Sequence, residues 1–374
     1  LTPYARAWQS ARLDPGYLDL ADSRFHQNGY IHPPESLNQA WQKYLNTRYY
    51  EPEAKGPLAS RDALVKWYLD RGLRLHPDSI FMTPGTSEAY RLLFTLRLKK
   101  NETVALPRPG YPLFEHLAAL SDREVEYYDL DSESNWSITP ESFKKLSPRV
   151  KLIVLITPNN PTGRIYSSLE LAHMERYLSS TGAELIIDEV FEAWSHIGAQ
   201  KPAALAFPYS RVWTLNGLSK RWASPDLKVA WCAACGPPEN LDPVLDEIDT
   251  ALDSTLSLQP FAAGLLPELL KAPDVLADLV QKDLFINRQA LAEFQKQLPG
   301  LLIGILPDGG IHWMPRTREI DDERLSVELL KQENLHIQPG YLYDVSDQGR
   351  IVLSLLKKPE DFSEGLLRLK KYWK

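Results

Sequence analysis

Seven short apolar runs alternate with helix-period segments through the middle of the chain. They are "SIFMTP", "ETVALP", "EVEYYDL", "VKLIVLITP", "ELIIDEV", "RVWTLN" and "LKVAWCAACG". Between many of them lie amphipathic candidates such as "SEAYRLLFTLRLKK" (87–100), "YPLFEHLAAL" (111–120) and "SLELAHMERYLSS" (168–180). Runs apolar over their whole length suit strands buried on both faces. Their alternation with helices predicts an α/β fold, a mostly parallel central sheet flanked by helices. In such sheets ligands bind beyond the carboxyl ends of the strands, so polar residues at those ends deserve the closest reading.

After Pro237 the pattern changes. Helical segments run from about Glu239 to Gln297, interrupted by Pro260, Pro267 and Pro273, and a strand-rich tail with two further helices follows. This predicts a large α/β domain over 46–270, with 1–45 and 271–374 forming a smaller α+β domain. Prolines punctuate element ends, and no repeat or low-complexity segment interrupts the order.

Charge and cysteine content exclude several classes. Over 374 residues the net charge is −7, both signs are interspersed and no basic block occurs, so nucleic acid is not an expected partner. No apolar run approaches the roughly 20 residues of a membrane span. The N-terminus lacks the apolar core of a secretory signal, and a start at Leu1 suggests residues before it. Cys232 and Cys235 fall in one strand-like run, where residues three apart face opposite sides, so they read as buried thiols and not as a metal or redox pair. The expected setting is cytoplasmic.

Five strand ends carry polar groups that a strand does not need. "TPGTSEAY" brings Gly85, Thr86 and Ser87 to a helix start, where backbone N–H groups and hydroxyls can cradle an anion or simply cap the helix. "RPGYPLFEH" puts Tyr111 on a turn, to stack on a flat ligand or to fill space. "ITPNNPTGRIY" spends its turn formers around Asn160, and "ELIIDEVFEAW" ends a strand in Asp188. Asp188 caps a helix or meets a buried cation. "TLNGLSKRWASPDLKVAW" places Lys220 after Ser219; such a lysine is usually solvated, but when desolvated its free amine attacks carbonyls. Taken together, an amine, an acid, a stacking ring and a phosphate cradle match what pyridoxal 5′-phosphate needs.

Through "NNPTG" (159–163), "DEVF" (188–191), "GLSK" (217–220) and "GRIVLS" (349–354), the chain resembles the class I/II aminotransferases of pyridoxal-phosphate fold type I over nearly its whole length. The resemblance implies an exchange of an amino group between an L-amino acid and a 2-oxoacid, by a ping-pong cycle through pyridoxamine phosphate. Lys220 would be the Schiff-base lysine and the proton-moving base. Asp188 would pair with the pyridinium nitrogen, Tyr111 would stack on the ring, and Asn160 would meet its phenolic oxygen. Gly85, Thr86, Ser87, Ser219 and Lys228 would surround the phosphate, and Arg350 would fork the substrate's α-carboxylate, which suits its planar donors. The family's shared dimer site implies a homodimer, with a tyrosine of "YYEPEAKG" (49–56) crossing between subunits: Tyr50, or Tyr49 one residue away.

Three positions depart from the family pattern. The usual tyrosine after the aspartate is Phe191, which lacks a donor for the phenolic oxygen. The usual serine three before the lysine is Gly217. The usual arginine eight after the lysine is Lys228, a point charge without the bidentate fork, or a surface residue if a bulge shifts the strand. Weaker cofactor retention is expected. For specificity, Arg24 in "LADSRFHQNGY" would bind the distal carboxylate of an acidic substrate, or face solvent, and Trp313 or Tyr341 would lie near the substrate. A C–S lyase or other β-eliminating enzyme is the alternative on the same scaffold. A ligand-sensing module is a remote one, because a DNA-binding domain has no place before residue 45.

Overall fold

The computed structural model describes residues 1–32, 34–47, 52–237, 242–271, 275–345 and 347–373. The chain opens with α1 (Pro3–Ala11), β1 (Leu18–Asp19), α2 (Pro34–Thr47) and α3 (Leu58–Leu69). The central region then runs β2 (Ile80–Thr83), α4 (Thr86–Arg97), β3 (Thr103–Arg108), α5 (Leu113–Leu120), β4 (Glu124–Asp129) and β5 (Val150–Ile156). It continues α6 (Ser168–Thr181), β6 (Glu184–Asp188), β7 (Val212–Gly217) and β8 (Ala230–Cys235). Helices α7 (Asp242–Asp253), α8 (Pro260–Lys271) and α9 (Val275–Gln297) follow. The tail holds β9 (Leu302–Ile303), β10 (His312–Trp313), β11 (Arg316–Thr317) and α10 (Asp322–Glu333). It ends with β12 (Leu335–His336), β13 (Gln338–Pro339), β14 (Ile351–Ser354) and α11 (Pro359–Tyr372).

The seven apolar runs become one sheet in the order β2-β8-β7-β6-β5-β3-β4. Neighbours from β4 through β7 are parallel, and β8 runs antiparallel to both β2 and β7. Side-chain alternation splits each strand between two cores. Ile153 and Leu155 face the core built with α3, α6 and α8, while Leu152, Val154 and Ile156 face the one built with α4 and α5. Cys235 lies in the first core and Cys232 in the second, so the two buried thiols stand on opposite faces and are unpaired.

A third core gathers Leu20, Phe25, Leu325, Leu353 and Phe362 from the chain's two ends, where β1 pairs parallel with β12 and β14 pairs with β10 and β13. Phe191 and Trp194, just after β6, are buried in this third core, which therefore meets the sheet beside Asp188. The N-terminal segment divides: α1 and β1 join the third core's elements, whereas α2 lies along α8. None of the described helices is long and apolar enough to cross a membrane.

Candidate active site

Asp188 ends β6, buried, with both carboxylate oxygens engaged. The N–H of Val190 donates to Oδ1 at 3.1 Å, and the hydroxyl of Tyr90, on α4, donates to Oδ2 at 3.0 Å. Burial is the largest influence and pushes this carboxyl up to about 6; the two donors and the nearby charge of Lys220 oppose it. Lys220 sits in the turn after β7, next to half-buried Ser219; the turn is closed by Ala223 N–H to Lys220 O at 2.9 Å and Ser224 N–H to Leu218 O at 3.0 Å. Desolvation lowers the amine's pKa and the charge of Asp188 resists. Desolvation thus favours the free amine, the form that acts as nucleophile and base.

The surroundings of this pair are mostly aromatic. Lys220 Nζ lies 5.4 Å from the ring centroid of Phe191, and His312 of β10 meets the same ring edge-on at 6.1 Å. Burial, assisted by the Lys220 charge, pushes His312 down to about 3, so its imidazole is neutral. Tyr111 leaves 44% of its surface open and stands perpendicular to Phe114 at 5.7 Å; burial and then the charge of Asp188 push its phenol up. A ring so exposed beside a buried carboxylate is a surface on which a flat group can rest.

The two asparagines after β5 have different work. Asn159 holds the turn: its Oδ1 accepts from the hydroxyl and N–H of Thr162 at 2.8 and 3.2 Å, and its carbonyl accepts from Gly163 N–H at 2.8 Å. Asn160, also buried, has a side-chain oxygen with no partner in the chain. Gly163 is required here twice over. Its φ is +71°, and a Cβ would stand 2.3 Å from Pro307 and 2.9 Å from the carbonyl of His312. Arg164 then clamps the turn between Asp308 at 2.6 Å and Glu170 at 2.9 Å. The turn formers fix a rigid platform and leave the Asn160 amide unspent.

At the start of α4 the cap is Gly85, which brings no side chain to occupy the first amides, and half-buried Thr86 and exposed Ser87 follow. Lys228 Nζ lies only 3.3 Å from where a Gly85 Cβ would be, so a cation stands at the positive end of this helix. Left-handed backbone at Lys228 (φ 53°), just before β8 begins, turns the residue this way. That arrangement invites an anion to bridge helix start and lysine. The glycine at 217 has a packing reason as well: a Cβ there would sit 3.0 Å from both Ala230 Cβ and the Val229 carbonyl. A serine would crowd the β7–β8 contact.

Other expected residues are not drawn in by contacts. Arg350 is buried with its guanidinium 2.9 Å from Asp347 and 4.7 Å over the Trp136 ring, and its Nε lacks a partner. Arg24 is exposed and forms a two-toothed pair with Asp22, Nε to Oδ1 at 2.8 Å and Nη2 to Oδ2 at 3.1 Å. That pairing favours the solvent-facing reading of Arg24. Trp313 is buried with its indole N–H donating to Ile305 O at 2.8 Å, whereas Tyr341 is partly exposed beside Asp322. Tyr49 and Tyr50 lie outside the described residues. Two neighbours escaped the reading of the sequence, Tyr90 and His312. Tyr90 fits the apolar period of its helix, and His312 sits in a two-residue strand too short for any period. Among the described residues no group of His, Cys, Asp and Glu is arranged to hold a metal ion.

A family model described as "Aminotransferase class I and II" matches residues 24–361. Nicotianamine aminotransferase 1 of Oryza sativa subsp. japonica is 26% identical over 342 residues, covering 86% of this chain and 67% of its own length. S-alkyl-thiohydroximate lyase SUR1 of Arabidopsis thaliana is 29% identical over 336 residues, covering 86% and 71%. Among solved structures, alanine aminotransferase from Pyrococcus furiosus superimposes with a TM-score of 0.89 at 21% identity, over 99% of this chain and 94% of that one, a likeness of fold. The chain belongs to the class I and II aminotransferases, enzymes that work with pyridoxal 5′-phosphate.

Proposed function

We propose that Lys220 anchors the pyridoxal phosphate and that the protein exchanges an amino group between an L-amino acid and a 2-oxoacid. One observation carries this assignment. A desolvated amine and a buried carboxylate, Lys220 and Asp188, sense each other's charge beside the open ring of Tyr111 at the carboxyl ends of the sheet. Bound there, the cofactor supplies an aldehyde carbon that takes the amino group and a ring that accepts the electron pair left at Cα. Asp188 pairs with the ring nitrogen, Tyr111 covers one ring face, and the unspent amide of Asn160 meets the phenolic oxygen. Gly85, Thr86, Ser87, Ser219 and Lys228 hold the phosphate, the lysine as a point charge. Lys220 Nζ would take the proton from substrate Cα, a role that the desolvation of its amine favours. The unpaired Nε of Arg350 supports a role for its guanidinium in taking the substrate carboxylate.

The working unit in this reading is a homodimer in the cytoplasm. Residues 46–270, with α2 packed along α8, form the cofactor domain, and the chain before α2 with 271–374 forms the part that closes on substrate, so the boundary read from sequence at 45 moves to the start of α2. The experiment is single-turnover spectroscopy of the loaded protein against a panel of L-amino acids with product identification. Transamination leaves the amine form of the cofactor and one equivalent of the matching 2-oxoacid. Pyruvate and ammonia, released repeatedly without an oxoacid acceptor, would instead establish β-elimination, the reaction class a lyase among the relatives keeps in view.

A further inference from the structure

We propose that Tyr90 is a positioning residue for this reaction, acting through Asp188: its hydroxyl, delivered by α4 to the end of β6, orients the carboxylate and keeps it charged. The proposal rests on the aminotransferase reading for its meaning and on the geometry of the pair for its substance.

The pair is built to be exclusive. Tyr90 and Asp188 are 98 positions apart in the chain and both are buried, with the hydroxyl 3.0 Å from Oδ2. Oδ1 is taken by the backbone N–H of Val190, so the phenol is the side-chain donor that fixes the carboxylate's rotation about its own bond. The Tyr90 ring is wedged between Phe94 at 5.8 Å and Phe114 at 4.8 Å, which holds the hydroxyl in place. A hydroxyl buried this deeply costs free energy unless it is bonded, and a charged acceptor roughly doubles what the bond returns. Apolar packing alone would be served by a phenylalanine, as it is at positions 94 and 114.

The charge balance around Asp188 makes this donor matter. The groups facing it are Tyr90 from α4, Tyr111 from the turn before α5 and Lys220 from the turn after β7, with Glu189 next to it across the sheet. Tyr90 itself faces Tyr128 of β4 and Cys232 of β8, both neutral. Burial disfavours the carboxylate, and the donors and Lys220 restore it. The phenol and the Val190 N–H keep their oxygens in either state of the site, so with a cofactor present the carboxylate would be held in one rotation while it met the ring nitrogen.

The test compares wild type, Tyr90→Phe and Tyr128→Phe. Tyr128 is an equally buried phenol whose hydroxyl donates to a neutral group, the carbonyl of Val154, at 2.7 Å. Two pH profiles are recorded from 5 to 8.5: the dissociation constant for pyridoxal phosphate, and the Tm of the cofactor-free chain. Deleting the Tyr90 hydroxyl disfavours the charged carboxyl. The acid-side loss of cofactor affinity should therefore begin about one pH unit higher than in wild type. In the cofactor-free chain, the Tm gap between wild type and Tyr90→Phe should widen as pH rises through the carboxyl's titration, and vanish as a pH effect in an Asp188→Asn background. Tyr128→Phe should lower Tm by an amount that does not vary with pH and leave the affinity profile in place. Profiles of Tyr90→Phe parallel to wild type, or a Tyr128→Phe shift of the same size, would overturn the proposal. If wild type bound no pyridoxal phosphate at all, the assignment of the cofactor to this site would fail, while the Tm profiles would still decide whether Tyr90 holds the Asp188 charge.

Discussion

Asp188, the last residue of β6, and Glu189, which follows it, are both acidic and buried, and they face opposite sides of the sheet. Asp188 looks toward Lys220, Tyr111 and Tyr90. Glu189 looks the other way, where Thr214 of β7 donates its hydroxyl to Oε2 at 2.6 Å and the N–H of Ala203 donates to Oε1 at 2.8 Å. That side borders a cavity of about 520 Å³ lined by Trp67, Arg71, Tyr166 and Glu192 among others. Burial pushes both carboxyls up, Asp188 to about 6 and Glu189 to about 7. A raised pKa and a nearby cavity would thus nominate Glu189 at least as strongly. What separates them is what they face: an amine and an open ring on one side, two structural donors that tie 203 and β7 to the strand end on the other. Shifted titration marks burial, and only the partners tell chemistry from architecture.

The largest expected contrast is in turnover. Asp188→Asn keeps the shape and removes the charge, and kcat should fall by at least about a hundredfold, the scale on which a preorganised electrostatic partner is lost. Glu189→Gln should leave kcat within a factor of about two. It should cost roughly 1–3 kcal/mol of stability, because the new NH2 faces one of the two donors. Equal losses of kcat in the two variants would erase the distinction drawn here.

A smaller effect sharpens the structural half of the comparison. Glu189 ionises from 4.5 in the unfolded chain and only near 7 when folded. The folded state therefore holds the proton over that interval, and the contribution of this site to stability falls as pH rises from about 4.5 to about 7. Glutamine has no such titration. The Tm advantage of wild type over Glu189→Gln should be largest near pH 4.5 and smallest at pH 7 and above; a gap constant with pH would show that Glu189 does not titrate in this way.

The smallest effect concerns the aromatic wall beside Lys220. Phe191 offers its ring and no hydroxyl to the amine 5.4 Å away. Phe191→Tyr would add a donor for an anionic oxygen of the bound cofactor. The pH transition in the absorbance of the loaded protein should then move down, by up to about one unit. An unmoved transition would mean the added hydroxyl does not reach that oxygen.

Much of this site was legible before any coordinates, and the reason is local. Each of Gly85, Tyr111, Asn160, Asp188 and Lys220 follows a strongly apolar strand, and in parallel α/β sheets such ends share one edge. The buried, opposed cysteines followed from a period of two. The rest depends on long-range contact. Tyr90 reads as one more apolar residue on a helix face, because periodicity does not register a phenol's hydroxyl. The antiparallel course of β8 leaves no mark in its composition, since a strand buried on both faces has the same apolar run in either direction. Lys228 reads as the first residue of that strand until left-handed backbone turns it toward Gly85. The clamp of Arg164 on Asp308 joins residues 144 positions apart, and each alone is an ordinary surface charge.

The chemistry assigned to this site depends on one covalent bond. Protein incubated with pyridoxal phosphate, reduced with borohydride and digested should carry the added mass on a single peptide, at Lys220, and Lys220→Ala should take up none. A label spread over surface lysines, or one fixed elsewhere with Lys220 unmodified, would contradict it.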